Sequence, residues 1–380
     1  MRVYLDNAAT TPLDPAVIEV MTDIMQNHYG NPSAIHGQGR EVRTIIEEAR
    51  KTVARLVNVT PSEIFFTSGG TEADNMAIRC SVADLDVKRI ISSPIEHHAV
   101  LYTAQELANA GKVKLEMVKL GLDGHVDLED LEKLLSNSKD KTLVTLMHAN
   151  NEIGNLLDLD LVGAMCEKYG ALFHSDTVQT MAHYRFDLQK THVDFLAASA
   201  HKFNGPKGVG FIYISNRNKL KPMFTGGSQE RNMRSGTENV YGIAGLAKAF
   251  QISHDQMDEK TALISGLKNY MRERLTTEIP GVRFNGDING NNLYTVLSVS
   301  FPPSKVSDMM LFKMDIEGIS ASGGSACSSG TDIGSHVMSA LKSDTTRANV
   351  RFSFGKFNTK EEIDFAIEIL KEMHSETVAQ

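Results

Sequence analysis

The sequence predicts an α/β protein built around a mostly parallel sheet. Three observations carry this: short apolar runs alternate with amphipathic helical segments from about residue 14 to 215, each run is too short for a helix, and chemically active residues follow directly after the runs, where open α/β sheets place ligands. The first helix is expected to begin at Asp14, a capping residue, with Pro15 at the first helical position and Val17, Ile18, Met21, Ile24 and Met25 on one apolar face. REVRTIIEEARKTVARLV predicts a second helix that buries Val42, Ile45, Ile46, Ala49, Val53 and Leu56. Strands are expected at 64–67, 89–93, 142–148, 171–175, 194–199 and 209–215. A helix including 240–252 and a long charged helix from about 254 to 278 lead into LYTVLSVSF and NVRFSFGKF. A final helix, TKEEIDFAIEILKEMH, has Ile363, Ala366, Ile367, Leu370 and Met373 at helical spacing. The change of pattern near 255 predicts a large domain over 15–255 and a smaller α+β domain made of 1–14 and 256–380, the latter carrying a loop at about 321–333.

Composition narrows the function classes. The 380 residues carry a formal net charge of −8, with 41% hydrophobic and 23% charged residues. A mildly acidic surface of this kind argues against nucleic acid or an anionic membrane as the partner and favours a small-molecule substrate. No stretch approaches the ~18 consecutive apolar residues of a membrane span. The opening MRVYLD enters an apolar alternation without the pattern of a cleaved leader, so a cytoplasmic location is expected. Three cysteines, Cys80, Cys166 and Cys327, are too few for a disulfide framework and contain no CxxC pair, so no metal is expected. Cys80 and Cys166 fall in helix-like segments and are expected to be structural.

IFFTSGGTEADN reads as strand, glycine turn and helix start, so backbone N–H groups around Gly69, Gly70 and Thr71 form a candidate anion cradle; a plain turn explains it equally well. Asp176 follows the run ALFHS at a strand's carboxyl end, where an inward carboxylate needs a cation and a helix cap is the simpler alternative. Gln179 follows on the same side. Lys202 lies in SAHKFNGPKGVGF after a strand; a lone loop lysine is usually solvated, but here Ser199 and His201 accompany it and Asp176 ends another strand. A lysine that can bond to an aldehyde, an acid for a pyridine nitrogen and a phosphate cup are the three parts that pyridoxal phosphate requires. Cys327 sits in SASGGSACSSGTD, among residues with little side chain to pack, a setting expected to be exposed and therefore as compatible with reactivity as with a passive role.

The set YLDNAATTP, GNPSAIH, FTSGGTEADN, IEHHAV, MHANNEIG, HSDTVQ, SAHKFNGPKG, MRSGTENV, GGSACSSG and VRFSFGKF runs in order from Tyr4 to Phe357 and resembles the cysteine desulfurases of the NifS and IscS type, within the class V aminotransferases. The resemblance implies the PLP-dependent transferase fold, like that of aspartate aminotransferase. It also implies pyridoxal 5'-phosphate as cofactor, L-cysteine as substrate, a homodimer, and delivery of sulfur to an acceptor such as an iron–sulfur scaffold. By position, Lys202 is implied to bond to the cofactor, Asp176 to bind the pyridine nitrogen and Gln179 the phenolic oxygen. Gly70, Thr71, Ser199 and His201 are implied to hold the phosphate, with Thr237 supplied by the other subunit. His97 is implied to stack on the ring and move protons, Asn151 to lie beside the cofactor, Arg351 to clamp the substrate carboxylate with help from Asn31, and Cys327 to receive the sulfur. Lys356 stands where the family commonly has Arg, and the stretch Ser328-Ser329-Gly330-Thr331-Asp332 gives the cysteine loop its own composition. Rival readings are another pyridoxal-phosphate reaction such as selenocysteine lyase, a zinc hydrolase using His97, His98, His148, His174 or Asp176 without a recognised ligand spacing, and a noncatalytic sulfur-transfer scaffold.

Overall fold

The structure, a computed structural model, describes residues 1–304, 307–323 and 334–378. After a short β1 (Val3–Tyr4), the chain builds a seven-stranded sheet from β2 (Ile64–Thr67), β3 (Arg89–Ser92), β4 (Lys114–Met117), β5 (Thr142–Thr145), β6 (Leu172–Asp176), β7 (Phe195–Ser199) and β8 (Gly210–Ile214), in the order β2-β8-β7-β6-β5-β3-β4. β4, β3, β5, β6 and β7 run parallel, whereas β8 is antiparallel to both β7 and β2. IFFT, TLVT and FLAAS are buried along their whole length, as strands covered on both faces must be. Their apolar continuity is what makes them visible in the sequence.

β4 has no counterpart among the strands expected from the sequence. It is an edge strand whose Lys114 and Glu116 pair with each other at 3.2 Å, and charged edges lack the apolar run by which buried strands are recognised. β5 is shorter than the run 142–148. Beyond Thr145 the chain still bonds to its neighbour, through Leu146 N–H to His174 O at 3.2 Å and His148 N–H to Asp176 O at 3.0 Å, but it leaves regular geometry.

Among the helices that accompany this region are α1 (Pro15–Asn27), α2 (Gly37–Leu56), α3 (Gly70–Asp84), α4 (His98–Asn109), α5 (Leu128–Ser136) and α6 (Leu159–Tyr169). Asp14 caps α1 as expected, its carboxylate accepting from Ala16 N–H at 2.9 Å. The apolar face of α1 is narrower than the sequence suggests. Val17 and Ile24 are buried, but Ile18 and Met25, each about 100° further round the helix, are 48% and 53% exposed. In α2, Val42, Ile46, Ala49, Val53 and Leu56 are buried and Ile45 only partly so.

One hydrophobic cluster packs α2 and the helix Val240–Asp255 against one sheet face through Phe66, Phe173, Phe211 and Phe250; another covers the opposite face with α3 and α4 through Phe65, Met76, Val100 and Phe195. A third joins Val3 and Leu5 to the helix Met257–Glu278, the strands Val296–Ser300 and Asn349–Ser353, and the helix Lys360–Val378. Ile363, Ala366, Ile367, Leu370 and Met373 are all buried there. Residues 3–6 are tied to this third cluster: β1 pairs with Ile319–Ser320, and Ser353 N–H donates to Leu5 O at 2.7 Å. Among the described residues no helix is long and apolar enough to cross a membrane.

Candidate active site

The carboxyl ends of β6 and β7, the start of α3 and the segment 8–9 surround a cavity of about 210 Å³. Of the residues singled out from the sequence, Gly70, Thr71, His97, Asn151, Asp176, Gln179, Ser199, His201, Lys202 and Arg351 line it. Asn31 does not: it is exposed at the approach to α2, with its side-chain oxygen accepting from Ser33 N–H at 2.8 Å. Thr237 also lies elsewhere, in a separate recess with Ser68, Gly208 and Arg234. Cys327 lies outside the described residues. Cys80 and Cys166 are buried, and burial pushes the Cys80 thiol up to about 12, so it stays protonated.

Two glycines open the α3 end. Gly69 has φ +152°, a conformation that side chains rarely adopt, and a Cβ on Gly70 would stand 2.5 Å from Val178 Cγ2. The first N–H groups of a fifteen-residue helix are thereby left facing the cavity beside Ser199.

Lys202 ends a short 3-10 turn, Ala200–Lys202, directly after β7. Its Nζ donates to Ala8 O at 2.6 Å and Ala9 O at 2.8 Å. Gln179 Nε2 donates to Ala8 O at 3.0 Å, so the segment 8–9 is held from two sides. Behind Lys202, His183 Nε2 donates to its backbone carbonyl at 3.2 Å; the imidazole stays neutral because burial drops its pKa to about 3. His201 faces Thr10 Oγ1 at 3.2 Å, and burial holds it near 4.

Asp176 is buried at the end of β6, where its carboxylate accepts from Val178 N–H at 2.9 Å. Burial raises its pKa, while His97, that hydrogen bond and Lys202 act in the opposite sense. His97 caps α4, its Nδ1 accepting from Ala99 N–H at 3.2 Å. Burial lowers its pKa and favours the neutral ring; Asp176 opposes this, and Lys202 and His336 reinforce it.

Arg351, 2% exposed on the strand Asn349–Ser353, sends Nη2 to Asp6 Oδ1 at 2.8 Å and Nη1 to Asn151 O at 2.9 Å. Its Nε has no hydrogen-bond partner among the described residues. A buried guanidinium with an unused donor at a cavity wall is suited to an anionic ligand.

Sequence reasoning misses Asp6, Ala8, Ala9 and Asp74. Asp6 and the two alanines act from a segment distant in sequence, the alanines through carbonyls that no residue pattern marks. Asp74 stands inside TEADN, where it reads as one more polar residue of a helix.

The groups gathered here fit pyridoxal phosphate: a buried carboxylate in Asp176, an amine in Lys202, an imidazole in His97 and a glycine-opened helix start at Gly70. Comparison with known proteins follows the same line. A family model described as Aminotransferase class-V matches residues 3–365. A cysteine desulfurase IscS of Dictyoglomus turgidum is 41% identical over 374 residues, covering 97% of this chain and 94% of its own. A putative cysteine desulfurase of Bacillus subtilis, IscS 1, is 40% identical with 96% of each chain covered. Among solved structures, a NifS-like protein superimposes with a TM-score of 0.91 at 37% identity, covering 99% of this chain and 100% of its own.

Proposed function

Because the chain belongs to the aminotransferase class-V family and is a cysteine desulfurase, we propose that its cavity holds pyridoxal 5'-phosphate and takes L-cysteine to L-alanine, leaving the sulfur as a persulfide on Cys327. Enzymes of this family carry that cofactor. The observation that carries the assignment to this cavity is the convergence of Lys202, Asp176, His97 and Arg351 on one space.

In this reading Lys202 bonds to the cofactor, Asp176 faces its ring nitrogen, Gln179 its phenolic oxygen and His97 its ring. Gly70, Thr71, Ser199 and His201 receive the phosphate, and Asn151 lies alongside. When bound, the cofactor supplies an electron-accepting ring conjugated with the substrate amine, which weakens the Cα–H bond. Arg351 fixes the substrate carboxylate through the donors that Asp6 and Asn151 leave free. Asn31, exposed and outside the cavity in this chain, takes no part in that clamp here. Lys202 Nζ is the amine that can take the Cα proton, and neutral His97, with its proton on Nε2, can accept a thiol proton at Nδ1 by giving up its cap bond to Ala99 N–H. The thiolate of Cys327 attacks the substrate sulfur; an S–S bond forms, the C–S bond breaks, its electron pair stays on the substrate Cβ and takes a proton there, and return of the Cα proton completes alanine.

A homodimer completes this reading. Thr237 is exposed and away from its own chain's cavity, which suits a residue presented to a neighbouring subunit's phosphate. We also read 15–255 as the cofactor domain and 1–14 with 256–380 as the smaller one, a division supported by the separate hydrophobic cluster around Met271 and Phe352. The persulfide is proposed to pass to an acceptor protein, such as an iron–sulfur scaffold, in the cytoplasm.

The test is incubation with L-cysteine without reductant, followed by mass spectrometry of the intact protein and its peptides. One added sulfur on Cys327, together with alanine in the supernatant, is the expected result. Alanine without any adduct, and at the parent rate in Cys327→Ser, would make the enzyme a lyase in which that cysteine is a bystander.

A further inference from the structure

Asp74 lines the cavity from α3, yet nothing in the reaction outlined above uses it. Its side chain is 1% exposed, and neither carboxyl oxygen has a hydrogen-bond partner among the described residues. Ligand-type atoms of Asp74, His97 and Asp176 all lie within 4.8 Å of one another. Its Oδ1 also stands 3.4 Å from Nε2 of His174, two residues before Asp176 and on the same face of β6. The His174 ring is fully buried, with Nδ1 2.8 Å from Thr145 Oγ1.

An ionised carboxylate this deep, without a donor on either oxygen, is far costlier than a neutral acid. The groups facing it supply no nearby fixed cation. From β6 come Asp176 and His174, the latter kept neutral by burial with a pKa of about 3. From the turn before α4 come His97 and Glu96, whose carboxyl burial pushes up to about 8. Lys202, from beyond β7, engages Ala8 and Ala9. Burial above all, and then the Asp176 and Glu96 carboxyls, holds the Asp74 proton on well above the usual range. Of the two aspartates, Asp176 is the one with an N–H donor, so the negative charge belongs there.

We propose that Asp74 is a positioning residue for Asp176: it remains a neutral acid whose proton is offered to the Asp176 carboxylate, so that the pair carries a single negative charge directed at a cationic ring nitrogen. The inference rests on pyridoxal phosphate occupying the cavity, but the proton on Asp74 is a property of this chain alone.

Measurements on the cofactor-free protein and on the holoprotein separate these layers. Infrared spectra of the cofactor-free protein should contain the C=O band of an un-ionised carboxyl that disappears in Asp74→Asn and survives in Glu96→Gln; a parent spectrum unchanged by Asp74→Asn would overturn the proposal whatever the cavity binds. In the holoprotein, Asp74→Asn keeps a neutral donor and should hold cofactor affinity within about twofold, whereas Asp74→Val fills similar space without a donor and should weaken it about tenfold or more, the scale of one hydrogen bond to a charged group. The pH midpoint of the bound cofactor's visible absorbance should move in Asp74→Val and not in Asp74→Asn, while melting curves establish that both variants fold. Equal affinity and an unmoved midpoint in Asp74→Val, or an Asp74→Asn as impaired as Asp74→Val, would also overturn it. A parent that takes up no pyridoxal phosphate would instead refute the cofactor reading, while the infrared band still decides whether Asp74 holds its proton.

Discussion

Arg351 reaches the cavity with its plane already fixed by Asp6 and the Asn151 carbonyl, and its remaining donors are oriented before any ligand arrives. Arg351→Lys should therefore raise KM for cysteine by roughly 10- to 100-fold, the worth of a charge-assisted pair reduced to a point charge, with cofactor affinity little changed. Steady-state kinetics and cofactor titration separate the two, and an unchanged KM would remove Arg351 from the substrate site. His97 offers a pH signature. Its pKa lies below that of a free imidazole because the ring is buried, so the neutral base persists to lower pH, and the acid limb of kcat/KM should fall below about pH 6.5. A limb above that value, or one that persists in His97→Gln, would exclude His97 as the base. Glu96 gives a stability counterpart. Its carboxyl binds a proton more tightly folded, at about 8, than unfolded, so the stability it contributes is complete at low pH and is lost as pH rises from about 4.5 through 8. Glu96→Gln keeps an oxygen for Ser93 Oγ and Met147 N–H, so it should melt higher than the parent at pH 8 and converge with it near pH 4.

The glycine-opened start of α3 is an element whose role can be tested by filling it. A Cβ at position 70 would press on Val178 Cγ2, so Gly70→Ala should push the helix start or Val178 into the cavity and weaken cofactor binding about tenfold, and Val178→Ala in the same chain should restore much of the loss. An undiminished affinity in Gly70→Ala would mean that the cradle is not at this helix. Elements are legible in the sequence where burial is total: β2, β5 and β7 announce themselves as apolar runs because both faces are covered. β4 is hidden because an edge strand tolerates Lys114 and Glu116. Ile18 and Met25 read as core because periodicity marks which residues could face inward, while the width of the buried stripe depends on how closely the neighbouring helix approaches.

For the molecule as a whole, most of the cavity's side chains are legible in the sequence, whereas Asp74 and the supports are not. Lys202 and Asp176 stand out because a charged residue after an apolar strand is conspicuous, and His97 enters through the resemblance of IEHHAV to the family motif. The Ala8 and Ala9 carbonyls do not, since they act through backbone brought in from a segment almost two hundred residues away. The dimer reading makes its own prediction at this scale. Lys202→Ala and Thr237→Ala chains should each be impaired alone, but co-expressed they should regain roughly a quarter of parental activity, because random pairing yields mixed dimers with one site that has both groups intact. No recovery on mixing, in dimers verified by light scattering, would place Thr237 in cis or outside the site.

The tie between Lys202 and the segment 8–9 also bears on synthesis. The chain leading into that segment is bonded through Leu5 to Ser320 and through Asn7 and Ala8 to Ser353, so these anchors emerge from the ribosome more than three hundred residues after the segment they hold. The seven-stranded sheet can form in the meantime, complete in its strands by residue 214, but with the cavity wall that Arg351 supplies still missing. A nascent chain should consequently acquire its sheet before it can retain a cofactor, and a late step of its maturation is the docking of Leu5, Asn7 and Ala8 onto Ser320 and Ser353.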